Sequence, residues 1–249
     1  MNTISKQQQK YIQSLYNKKY RKQFGEFTVE GRKSILELPD GKYEIVKIYI
    51  SQEQDLGLLP SDVTVVVDEE SIRKCSFMQN NNYGIAILKS KNVDFPKVLN
   101  GWVLAADDVR DPGNLGTMIR LADWYGIEHL ICSQNTVDFQ NPKVIASTMG
   151  SFARVNVWYC DLLEQIDTFN LPIFAASMEG TSAHQFNFPS KGILLMGSES
   201  HGISPELRKK VSETIAIPAY GKAESLNVAV ATGILLDNIK RSTDHQTND

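Results

Sequence analysis

Three stretches of this 249-residue chain combine residue types and spacings suited to handling a bound ligand. In the first, DPGNLGTMIRLADWYG (111–126), Gly113, Gly116, Thr117 and Arg120 lie three, four and seven residues apart, which places them on one face of a helix. Glycine disfavours helix. A face with two glycines and then an arginine gives up local stability and leaves space beside the backbone next to a guanidinium. Leu115, Met118, Ile119 and Ala122 make the other, apolar face.

The second stretch, GILLMGSESHGISPEL (192–207), passes from an apolar strand into GSESHG. Gly197 and Gly202 allow positive φ and close backbone approach to a ligand, and Glu199 stands between them. Ser204 and Pro205 suit the N-cap and first position of a short helix. No lysine follows Gly202 and there is no GxGxxG, so the P-loop and dinucleotide readings fail. A plain glycine-containing strand-to-helix turn stays open as an alternative. The third stretch, TIAIPAYGKAESLNVAVATGILLDNI (214–239), holds a strand, a turn at AYGKAE and an apolar helix whose early polar exceptions are Ser225 and Asn227. Ser225 is readable as an N-cap; Asn227 is not explained that way. Residues 228–236 are oily nearly all round, which predicts burial on every side, against the chain's own sheet and a second subunit.

His129, His184, His201 and His245 have no metal-ligand spacing. Asp107, Asp108 and Asp111 crowd the end of a strand; such carboxylates bind Mg²⁺, but caps and turns explain them more simply. No metal is expected.

Two α/β series position these stretches. Residues 5–22 read as one helix, followed by strands at 27–31, 44–50, 63–68 and 83–88 and helices at 32–38, 52–58 and 69–77. The polar stretch 89–101 reads as a linker, which sets domains at 1–96 and 97–249. The second series has strands at 102–107, 129–132, 154–158, 172–176, 192–196 and 214–217 and helices at 114–125, 141–148, 161–169, 205–212 and 225–240, with a frayed tail over 241–249. WVLAA and GILLM do not alternate, so the sheet should be parallel and covered on both faces. In such a sheet ligands bind beyond the carboxyl ends of the strands, where the three stretches begin.

The composition, 42% hydrophobic and 22% charged, is that of an ordinary soluble chain. No run approaches a membrane span of about 20 residues, and MNTISKQQQKYIQ has no signal-peptide core. Cys75, Cys132 and Cys160 are odd in number and scattered, which fits a reducing, cytoplasmic compartment. Net charge is −3, yet residues 1–33 carry +6 and the rest −9. Lys6, Lys10, Lys18, Lys19, Arg21, Lys22, Arg32 and Lys33 make a patch that reads either as a phosphate-gripping surface or as a solvated face.

In order and content, NLGTMIR, LLMGSESHGIS and IPAYGKAESLNVAVATGILL resemble the three signature motifs of the SpoU-type (TrmH-like) RNA ribose 2′-O-methyltransferases of the SPOUT superfamily, over about residues 102–240. The first part, with EFTVEGRKSILE, resembles the small ribosomal-protein-like RNA-binding domain that precedes the catalytic domain in many members. The resemblance implies an α/β catalytic domain with a parallel sheet and a C-terminal trefoil knot, S-adenosyl-L-methionine as methyl donor, RNA as substrate (ribosomal RNA of the large subunit ahead of tRNA, with a non-catalytic RNA-binding protein as the rival) and a homodimer without membrane attachment. It assigns catalytic positions to Asn114, Arg120, Glu199, Ser225 and Asn227, and donor contacts to Met196, Gly197, Ile217, Pro218 and Leu226. Many members have a second glycine where this chain has Ser200, so a positive φ there would be strained. Arg120 then acts either as a base with strong electrostatic help or as a phosphate anchor that stabilises the forming alkoxide; the firmness with which a guanidinium holds its protons favours the anchor.

Overall fold

The computed structural model of the protein describes residues 2–91, 96, 98–198 and 200–246. Glu199, part of the linker and the first residue of the expected second domain, position 97, lie outside them. The chain divides into two compact units, one of residues 1–93 with 138–154, the other of residues 94–137 with 155–249.

In the first unit the order is α1 (Lys6–Ser14), α2 (Lys18–Phe24), β1 (Glu26–Glu30), α3 (Arg32–Leu36), β2 (Ile45–Ile50), a 3₁₀ turn at Glu53–Leu58, β3 (Thr64–Val66), α4 (Glu69–Cys75) and β4 (Gly84–Lys89). The strands form a sheet ordered β1-β4-β2-β3. The single helix expected over 5–22 is instead two. Asn17 caps α2 by accepting from the Lys19 amide at 2.9 Å, which stops α1 from running on. The Leu15 and Tyr16 carbonyls at the break accept hydrogen bonds from Arg21 Nη1 at 3.0 and 2.9 Å, and Arg21 Nη2 pairs with Asp138 at 2.6 Å. Arg21 is therefore 3% exposed: it holds the fold and leaves the basic surface to its neighbours. Arg32 is also engaged, in a two-bonded pair with Asp55 at 2.9 and 3.0 Å.

Residues 138–154 join this unit although they fall inside the second series along the chain. Phe139 and Phe152 pack on Phe27, each with ring centroids 6.3 Å away, and Arg154 pairs with Glu37 at 2.8 Å. Gly150 takes φ 99°, a conformation that strains any other residue, and a Cβ there would also displace the Glu37 carboxylate.

The second unit is built on a sheet of seven strands, all paired parallel. In chain order it contains β5 (Trp102–Ala106), α5 (Pro112–Trp124) and β6 (His129–Ser133); helix α6 (Pro142–Thr148) belongs to the first unit. Then follow β7 (Asn156–Cys160), α7 (Leu162–Gln165), a 3₁₀ turn at Ile166–Phe169, β8 (Ile173–Ser177), β9 (Thr181–Ser182), β10 (Gly192–Met196), α8 (Pro205–Arg208), β11 (Glu213–Ala216) and α9 (Val228–Gln246). The strand order is β7-β6-β5-β10-β8-β11-β9, so β10 lies beside β5 despite the four strands between them in sequence. β5 and β10 are buried along their whole length. Val103, Ala105, Ile193 and Leu195 pack with Leu162, Ile166 and Leu207, while Leu104 and Leu194, equally buried, point to the opposite face.

Helix α9 begins three residues later than expected and extends to 246, through the first part of the expected frayed tail. It packs against α5 and buries Val228, Ala229, Leu235, Leu236 and Ile239. It is not covered on every side: Val230 is 53% exposed and Ala231, Gly233 and Ile234 are half-buried, because the described chain covers one side of the helix only. No helix among the described residues is long and apolar enough to cross a membrane.

Replacing Arg21 by alanine leaves two carbonyls and the Asp138 carboxylate without their donor. The expected loss is about 3 kcal/mol, read as a lower urea midpoint. An unchanged midpoint would show that the break between α1 and α2 does not need the guanidinium.

Candidate functional site

Parallel pairing gives the strands of the second unit one common carboxyl edge, and the three stretches leave from it: β5 into residue 107, β10 into 197 and β11 into 217. At the end of β5 the three aspartates have three separate tasks. The Asp107 amide donates to the Met196 carbonyl at 2.8 Å, extending the ladder to β10, and its buried carboxylate accepts from the Ser204 amide at 2.8 Å. Asp108 takes φ 56°; its amide donates to Ser133 Oγ at 2.8 Å and its carboxylate holds Arg110 through two bonds. Asp111 caps α5 by accepting from the Asn114 amide at 2.8 Å. Among the described residues no group of three or more His, Cys, Asp or Glu is placed to hold a metal ion.

The loop after β10 closes on itself. Ser198 and Gly202 exchange two main-chain hydrogen bonds of 3.0 and 2.9 Å, and Gly202 takes φ 66°. A Cβ at Gly197 would lie 2.2 Å from the Gly202 carbonyl carbon, so the tight turn requires glycine at 197. Ser200 is not among the described non-glycine residues with positive φ. The strain expected there is absent, because Gly202 makes the left-handed step. Ser200 Oγ lies 2.8 Å from His201 Nδ1.

After β11, Ile217 and Pro218 are half-buried and residues 219–227 are exposed. Residues 219–226 make no main-chain hydrogen bond to other described main chain. The chain then enters α9 through Asn227. Its Oδ1 accepts from the Ala229 and Val230 amides at 2.9 and 3.3 Å, which is the N-cap role that Ser225 was open to. Ser225 lies outside the cap and is exposed. Asn227 Nδ2 donates to Asn114 Oδ1 at 2.9 Å, joining the third stretch to the first.

Arg120 is exposed and has no ion pair or hydrogen bond with any described residue. It stands about 9 Å along the helix axis from Asn114 at 1.5 Å per residue. The face below it is less bare than its sequence suggests. Gly116 is buried, and Thr117 turns back on its own helix to donate to the Gly113 carbonyl at 2.8 Å. Gly113 remains the open step, with only the Asp111 cap oxygen within 4 Å of where a Cβ would stand.

The structure thus joins Asn114 to Asn227 and sets Met196, Gly197, Ile217 and Pro218 at strand ends on one edge. Glu199 lies outside the described residues. Asp107 is the residue whose importance the sequence understated; its signal was an aspartate directly after a wholly apolar strand. The arrangement offers a cation exposed and unpaired among the described residues, a locked amide pair and exposed main chain. That set suits an anionic, hydrogen-bonding ligand and a second ligand held by backbone atoms.

Comparison with known proteins agrees with this chemistry. The model of the SpoU rRNA Methylase family matches residues 101–237, and that of the MRM3-like substrate binding domain matches residues 6–86. A TrmH-family protein from Porphyromonas gingivalis has a similar structure, at 32% identity and TM-score 0.86 over 96% of this chain and 99% of that one. An AdoMet-bound rRNA methyltransferase from Sinorhizobium meliloti is similar at 27% identity and TM-score 0.85, over 97% of each chain. The 23S rRNA (guanosine(2553)-2′-O)-methyltransferase RlmP of Bacillus subtilis is 34% identical over 142 residues, 55% of this chain and 57% of that one. The chain therefore spans little more than half the length of this curated relative.

The double role of Asn227 separates by substitution. Asn227→Ala should cost about 1 kcal/mol through the lost cap. Asn227→Asp keeps the cap and loses the donor to Asn114. Combined with Asn114→Ala in a urea-unfolding cycle, the amide pair should show a coupling of about 0.5–1.5 kcal/mol. Zero coupling would mean that the two amides do not support each other.

Proposed function

Because the chain belongs to the SpoU rRNA methylase family, we propose that it transfers a methyl group from S-adenosylmethionine to a ribose 2′-hydroxyl of RNA, with ribosomal RNA of the large subunit as substrate. The observation that carries this reading is Arg120, exposed and without an ion pair among the described residues, on the helix whose Asn114 is locked to Asn227. Relatives named as rRNA methyltransferases support ribosomal RNA as the substrate.

The residues fit the donor. Met196, Gly197, Ile217 and Pro218 stand at strand ends, Leu226 just before α9, and the unpaired main chain of 219–226 leaves amides and carbonyls for a ligand held by backbone. When bound, S-adenosylmethionine supplies a methyl group on a cationic sulfonium. The protein's own task is orientation, which contributes several kcal/mol when the reacting groups are aligned. Arg120 anchors the RNA phosphate and stabilises the charge that develops on the 2′-oxygen; the hydroxyl proton passes to solvent at this exposed position, since a guanidinium holds its own protons too firmly to serve as a base. Asn114 and Asn227 fix the first turn of α5 against the start of α9, and the exposed Ser225 hydroxyl donates to ribose or donor. Glu199 orients Arg120 or a donor hydroxyl. None of these steps requires a metal.

The same reading assigns residues 1–96 to RNA binding and 97–249 to methyl transfer, a division supported by the two family models. It includes the C-terminal trefoil knot, a cytoplasmic setting, supported by three free cysteines, and a homodimer. Val230 on α9 and the exposed Trp124 at the end of α5 support the homodimer, being apolar surface that a second copy would cover.

Arg120→Ala should lower turnover on RNA by about 10²–10³-fold while calorimetry finds donor affinity unchanged. Arg120→Lys, which keeps charge without the planar fork, should recover only part. Loss of donor binding in the alanine variant would overturn this division of labour. Mapping the 2′-O-methyls missing from total RNA after gene deletion names the nucleotide, and a missing mark in tRNA alone would overturn the ribosomal assignment.

A further inference from the structure

Helix α2, KKYRKQF, contains four cations and no carboxylate. Arg21 points inward, as described, and fixes the helix to its unit. Lys18, Lys19 and Lys22 are exposed and make no ion pair with any described residue. On the same helix Tyr20 and Phe24, one turn apart, are 38% and 42% exposed. Their rings are nearly coplanar in orientation, 15° between planes, with centroids 6.3 Å apart. Lys19 Nζ lies 5.8 Å from the Tyr20 ring centre. The pair is braced from below: Phe24 meets the edge of Tyr11 at 5.2 Å, and the Tyr11 hydroxyl donates to Glu26.

We propose that this face of α2 is a platform for unpaired RNA, with bases stacked on Tyr20 and Phe24 and phosphates met by Lys18, Lys19 and Lys22. Flat exposed rings bind the faces of bases, which a duplex keeps hidden. Three exposed lysines without an ion pair to any described residue, on a helix that itself has no carboxylate, are complementary to a phosphate backbone. Together they select single-stranded RNA over duplex and over an acidic protein surface, which needs the cations alone. This deepens the RNA-binding half of the reading above and rests on it for the identity of the nucleic acid.

The test uses the full chain and an unstructured RNA of roughly twelve nucleotides, within the usual site size of such platforms, followed by fluorescence anisotropy. Tyr20→Leu and Phe24→Leu should each weaken binding about tenfold, and Tyr20→Trp should restore it. Lys18, Lys19 and Lys22 changed together to Ala should flatten the slope of log affinity against log salt by about two, at roughly 0.7 per phosphate contact on a single strand. A blunt RNA duplex should bind more weakly and be indifferent to the leucine changes. Thermal unfolding of each variant checks that Phe24→Leu keeps its brace on Tyr11; if it does not, the Tyr20 pair decides alone.

Leucine variants that bind like the parent overturn the platform, as does equal loss for single strand and duplex. Capture of an acidic peptide with the salt dependence assigned here to RNA overturns it in favour of a protein partner. S-adenosylmethionine binding and methyl transfer, measured on the same proteins, keep the two readings apart. Full transfer with an unchanged KM in the leucine variants sinks the platform alone. RNA binding through the patch without any transfer sinks the proposed activity alone.

Discussion

One buried carboxylate at the mouth of the parallel sheet ties the functional edge together. Asp107 continues the β5–β10 ladder through its amide and reaches the Ser204 amide through its side chain. The strand that leads to α5 and the loop that follows β10 are thereby fixed to each other by two bonds from one residue. Gly197 and Gly202 then let that loop fold on itself at a separation no side chain tolerates. The asparagine pair adds the third stretch, since Asn227 both starts α9 and grasps α5. The edge is rigid where hydrogen bonds accumulate, and the long exposed run before α9 is left without internal pairing. A ligand that uses main-chain groups finds them there, beside a framework already set.

The cationic residues divide in the same manner, by whether the fold consumes them. Arg21 and Arg32 are held by Asp138 and Asp55, and Arg110 by Asp108. Arg120 and the three lysines of α2 are not so held by any described residue. Total charge says nothing about this division, and neither does the local count. It follows from where the backbone releases carbonyls and where carboxylates stand within reach.

Much of the architecture was legible from residue order because parallel, doubly covered strands are runs of apolar residues: β10 matches its expectation residue for residue. α5 was legible because its apolar positions recur with the helical period, although Asp111 and Pro112 start it two residues before the expected 114. The misreadings have specific causes. The break between α1 and α2 depends on Arg21 reaching Asp138, a partner 117 residues away. β9 has only two residues and exists through pairing with β11, so no periodicity could reveal it. Asn227 displaced Ser225 as the cap because α9 starts where it meets α5, a tertiary condition. In the site, the residue types and their loops were readable, whereas the latch at Asp107 and the burial of Gly116 required coordinates.

Residues 138–154 supply the first unit with Phe139, Phe152 and the Asp138 partner of Arg21, although β5, α5 and β6 of the second unit precede them in sequence. During synthesis, the cluster of Ile4, Ile12, Leu15, Tyr49, Ile72 and Ile85 has all its members once the unit's own strands have emerged, but Phe27 on β1 still lacks Phe139 and Phe152. Those rings, and the Asp138 partner of Arg21, arrive only when the chain beyond residue 150 has cleared the exit tunnel. Assembly of the two units is thus interleaved in time, and neither one can be cut from the chain as an uninterrupted piece.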